Sequence, residues 1–76
     1  MQTAPAPALS ETLARLDAAA DFYQSEIDRL NSEAREAKAA GDSDRLRDVR
    51  EARAAAWRLF DYACDRAAEL RANGGR

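Results

Sequence analysis

Ala34-Arg35-Glu36-Ala37-Lys38-Ala39-Ala40-Gly41-Asp42-Ser43-Asp44-Arg45-Leu46-Arg47-Asp48-Val49 leads one helical pattern into a glycine and out again into a second. Gly41 suits the left-handed position that closes a helix, and Asp42 or Ser43 can cap the next one. Folding the chain about the Gly41–Asp42 bond places Ala37 opposite Leu46 and Ala34 opposite Val49. Further out come Leu30 with Arg53, Ile27 with Ala56, Tyr23 with Phe60, Ala20 with Ala63, Leu16 with Ala67 and Leu13 with Leu70. In every pair the residue numbers add to 83. Within each half the spacing alternates between three and four, the heptad signature of helices packed along a seam. A constant sum is what an antiparallel pair in one fixed register requires. The fold class is therefore all-α: an antiparallel, coiled-coil-like two-helix hairpin.

The hairpin unit is expected over residues 10–73. Ser10 is the predicted N-cap of helix 1 (residues 11–40), with Glu11 in the first turn, where a carboxylate suits the helix dipole. A turn at 41–43 leads to helix 2 (residues 44–72). Residues 1–9 read as a flexible Ala/Pro arm. Asn73, Gly74 and Gly75 are helix-stop residues, so 74–76 form a tail. The 76 residues allow one small domain and no second core. Both prolines lie before residue 8, so nothing beyond them breaks a helix.

Arg53 opposite Leu30 interrupts the apolar seam. Its aliphatic stem can pack while the guanidinium reaches Glu26 or Glu33 on helix 1; the sharper reading makes it a register-setting polar residue or an interface arginine. A single seam of mostly Leu and Ala buries little apolar area against the ordering entropy of two long helices. A partner is therefore expected.

Several apolar residues remain once the seam is filled. With Leu13 and Leu46 at heptad position a, Ala19, Ala52 and Leu59 fall at g, and Phe22, Ala55 and Tyr62 at c. In an antiparallel pair the g edges share one flank. These six residues form an apolar patch rimmed by charge, the anatomy of an interaction surface. The expected occupant is a second copy, giving a homodimeric four-helix bundle. The opposite flank carries Trp57 and Cys64 beside Asp17, Asp21, Gln24 and Arg50. Trp57 is an anchor type, so these residues are the candidates for binding a heterologous protein.

Catalytic and metal chemistry is poorly provided for. The chain has no histidine, hence no usual general base or commonest zinc ligand. Cys64 is the sole cysteine, which rules out an intramolecular disulfide and suits a reducing cytoplasm. Glu33 with Glu36, and Asp61 with Asp65, are helical neighbours that read as solvated faces. There is no Gly-rich phosphate loop. The sequence thus predicts no catalytic residues, no metal and no cofactor. The N-terminus shows no signal-peptide pattern and no apolar run reaches membrane-spanning length, so a cytoplasmic, membrane-free protein is expected. Nineteen alanines, and 11 arginines among 12 basic residues, lead to the expectation of a GC-rich bacterial or phage genome.

A small non-enzymatic regulator or inhibitor that binds another protein is the leading functional expectation. Between Arg45 and Arg58, five arginines face two acids, and Arg45, Arg47, Arg50 and Arg58 are the candidate contacts for nucleic acid. The net charge of −2 disfavours that alternative. A third reading is a passive structural or adaptor subunit of a larger assembly.

Overall fold

The computed structural model describes residues 8–74. The arm expected at 1–9 lies outside them as far as Pro7, as do Gly75 and Arg76 of the tail. The described chain is two helices, α1 (Leu9–Ala40) and α2 (Ser43–Gly74), packed against each other. Each has 32 residues, or about 48 Å at ~1.5 Å per residue.

The connection is two residues long because one of them serves both helices. Gly41 takes the left-handed conformation, φ 69° and ψ 20°. Its N–H donates to the Lys38 carbonyl at 3.2 Å, and the Asp42 N–H donates to the Ala37 carbonyl at 3.0 Å. These are the two bonds of a Schellman closure, which satisfies carbonyls that the end of α1 would otherwise leave bare. Asp42 then opens α2: its Oδ1 accepts the Arg45 N–H at 3.1 Å and its carbonyl accepts the Leu46 N–H at 3.0 Å. Of the two expected caps, Asp42 is the one used.

At the open end the helices run further than their stop signals suggest. Helix α1 begins at Leu9, with Ala8 as the flanking residue and no side-chain cap. The Ala8 carbonyl accepts the Glu11 and Thr12 N–H groups at 3.0 and 3.1 Å, so Ser10 lies inside the first turn rather than capping it. Helix α2 continues through Asn73 to Gly74. A β-carbon at Gly74 would collide with Leu9 Cδ2. Leu9 and Gly74 also add to 83, so they form one more layer of the same seam.

The burial pattern follows the expected seam. Every buried residue is a seam residue: Ile27, Leu30, Ala34, Ala37, Val49, Ala56, Ala63 and Ala67. The other seam positions between Leu13 and Leu70, Tyr23, Phe60 and Arg53 among them, are half-buried, and the end layer of Leu9 and Gly74 is exposed. Ile27, at 1% exposure, anchors a cluster with Leu30, Ala34, Val49 and Ala56, against which Leu46 and Phe60 pack. Arg53 leaves the seam on the side opposite to the expected one. Its Nη1 donates to Asn31 Oδ1 at 2.9 Å, while Glu26 and Glu33 are taken by Arg29. The Cα trace is only 14 Å deep along its thinnest axis. It is a single layer, whereas domains usually bury their apolar faces between two.

Candidate interaction surfaces

Cross-helix contacts define the two flanks that this single layer leaves open. Arg45, at heptad position g, lies 3.9 Å from Glu33, also at g. Arg71 and Asp17, both at e, pair at 2.9 Å on the other side.

On the g flank the large residues of the expected apolar patch are open to solvent. Phe22, Leu59 and Tyr62 are 59%, 46% and 65% exposed, Ala52 is exposed, and Ala19 and Ala55 are half-buried. The Phe22 ring meets the edge of Tyr23 at 5.3 Å, so one side of it is packed and the other faces outward. Charged groups border the patch and are largely paired with one another. Arg29 donates to Glu26 at 2.7 Å and also bonds Glu33. Arg45 approaches Glu36 at 3.6 Å, and Arg66 approaches Glu69 at 3.8 Å. The hydrogen bond from Arg29 holds the Glu26 carboxyl below its ordinary pKa, and Glu26 in turn raises that of Arg29.

The e flank is arranged differently. Trp57, 44% exposed, stands edge-on to Phe60 at 5.6 Å, so it partly covers the seam as well as facing solvent. Cys64 is exposed. Asp17 is engaged by Arg71, Gln24 donates to Asp28 at 3.4 Å, and Asp21 is exposed. These residues share the flank with Trp57, but Arg50 turns toward a groove nearer the loop.

That groove, about 200 Å³ in volume, is lined by Asn31, Ala34, Arg35, Lys38, Leu46, Arg50 and Arg53. It redistributes the basic segment read from sequence. Arg45 is drawn toward Glu33 and Glu36, and Arg47 toward Asp44 and Asp48. Arg50 is joined across the seam by Arg35 and Lys38 of α1, which a count along one helix does not reveal. Their common signal was available in the spacing: Arg35, Arg50 and Arg53 have no acid three or four residues away.

Among the described residues, no group of three or more His, Cys, Asp or Glu is placed to hold a metal ion. None of their helices is long and apolar enough to cross a membrane. No protein-family profile, curated protein or solved structure matches this chain.

Proposed function

We propose that this protein is a small non-enzymatic regulator or inhibitor that acts by binding another protein, and that it works as a homodimer. The observation that carries this reading is the exposure of Phe22, Leu59 and Tyr62 on one flank of a one-layer fold. Covering that flank with a second hairpin adds the missing layer and makes a four-helix bundle. The pairing is isologous: the same six residues, Ala19, Phe22, Ala52, Ala55, Leu59 and Tyr62, meet their copies. Trp57 and its neighbours then point away from the dimer contact and remain available to a heterologous partner. Supporting the non-enzymatic part are the absence of histidine and a surface whose chemistry is apolar contact and ion pairing.

Light scattering of the purified chain at micromolar concentration tests the assembly. The expected mass is about twice the 8.4 kDa of one chain. A stably folded species of single-chain mass would remove the dimer from this reading. A pull-down in which Trp57→Ala keeps every partner of the wild type would remove Trp57 from it.

A further inference from the structure

We infer that the groove on the e flank is a binding site for phosphate oxyanions, with Arg35, Lys38, Arg50 and Arg53 as the ligating cations. Four positive side chains converge there from both helices, and no carboxylate is among the lining residues. None of the four is ion-paired among the described residues, although Arg29, Arg45, Arg47, Arg66 and Arg71 all are. Helix geometry accounts for this, since residues at three and four apart are surface neighbours. Arg35, Arg50 and Arg53 have only neutral or basic residues at those offsets. Lys38 has Asp42, whose Oδ1 already accepts the Arg45 N–H.

Two of the guanidinium groups are held in place by neutral partners. Arg53, half-buried in the seam, donates to Asn31 Oδ1 at 2.9 Å. Arg35 donates to Ser32 Oγ at 3.1 Å. Both contacts fix orientation and leave the charge undischarged, which reduces the ordering cost of receiving an anion. The groove volume of about 200 Å³ exceeds the ~30 Å³ share of one water several-fold. A phosphate group with part of its neighbouring structure fits that space. Three of the four cations are arginines, whose planar fork matches phosphate oxygens two at a time. Phosphate is favoured over a carboxylate because one carboxylate carries a single charge and would leave most of this cluster uncompensated. The site lies on the flank away from Phe22, Leu59 and Tyr62. It stays open in the proposed dimer and does not depend on it.

The phosphate can belong to a phosphodiester backbone or to a free oligophosphate, and the experiment separates these sources. Inorganic pyrophosphate is titrated into the full chain by calorimetry. A labelled short single-stranded RNA and its DNA counterpart are titrated by fluorescence anisotropy, at low and at physiological salt. Arg35→Gln with Arg50→Gln should weaken binding roughly tenfold or more, the scale of losing charged hydrogen bonds. Both positions are exposed, so helicity should be retained, and circular dichroism checks it. Arg47→Gln, adjacent but already paired with Asp44 and Asp48, should change affinity less than about twofold. Binding of pyrophosphate alone assigns a free oligophosphate; tighter, salt-sensitive binding of the oligonucleotide assigns a backbone. The inference is overturned if none of the probes binds, or if Arg47→Gln costs as much as the double variant. It is equally overturned if polyglutamate binds through Arg35 and Arg50 while the phosphates do not, which would make the groove an acidic-peptide site.

Discussion

The two flanks of the hairpin are cut from the same seam and have the same length, yet they leave different business unfinished. On the g flank the charges largely satisfy one another, Arg29 with Glu26 and Glu33, Arg45 with Glu33 and Glu36, and what remains open is apolar: Phe22, Leu59 and Tyr62. On the e flank the large apolar residue, Trp57, is partly used against Phe60, and what remains open is charge: four cations around one groove. An exposed apolar surface is relieved by another apolar surface, and uncompensated charge by an opposite charge. A small one-layer protein can thus carry two unlike contacts, because each seam has two sides and each side is composed separately.

Leu59→Asp should separate the flanks most sharply. Leu59 is 46% exposed in the single hairpin, so a charge there costs the isolated hairpin little. Between two hairpins the same charge would be buried without a partner, at roughly 3–5 kcal/mol. The expected result is a single-chain mass at micromolar concentration with phosphate binding unchanged. A dimer that tolerates this change would place the contact elsewhere.

The seam is shared, and damage to it should reach both flanks together. Ile27 is 1% exposed and central to the buried cluster. Ile27→Ala should cost about 2–5 kcal/mol in denaturant unfolding, the range for large-to-alanine changes in a core. Unchanged stability would mean that the register adding to 83 is wrong. A smaller effect is expected at Trp57, whose edge-on contact with Phe60 is worth roughly 0.5–1.5 kcal/mol beyond its buried area. Trp57→Ala should lower the melting temperature slightly, leave the dimer mass intact and abolish binding of the protein partner. Collapse of the fold would instead make Trp57 a core residue.

Much of this comparison could be read from the chain alone. Periodicity fixes which residues face inward, so the seam pairs and the apolar patch follow from counting by three and four. Local chemistry identifies the Gly41–Asp42 turn because a left-handed residue and a cap each have few candidates. What escaped depends on contacts between distant residues. Gly74 reads as a helix stop until its close approach to the Leu9 side chain at the far end of the other helix is seen. Arg53 was expected beside Glu26 or Glu33 on charge alone, but Arg29 had already claimed both, and Asn31 on the other side was free to accept. The groove was invisible for a similar reason. A window along one helix adds Arg45 and Arg47, which have acids beside them, and omits Arg35 and Lys38, which lie across the seam.

The weakest effect is a pH dependence at the edge of the apolar flank. The Glu26 carboxyl is held below its ordinary pKa, chiefly by the hydrogen bond from Arg29. A group whose folded pKa is depressed stabilises the fold above its unfolded pKa and loses that contribution as pH falls through the folded value. Stability should therefore be constant near neutrality and decline once the pH drops below the usual carboxylate range, about 4. The contact is solvent-exposed, so the decline should be small and weakened further by salt. Glu26→Gln should flatten the acid side of a plot of melting temperature against pH, with little change at neutrality. Repeating the series at two chain concentrations separates this local event from dissociation, since the local event lowers both melting temperatures alike whereas acid dissociation of the dimer changes the gap between them. An acid limb that survives Glu26→Gln would assign the dependence to other carboxylates, and Arg29 would then only border the patch.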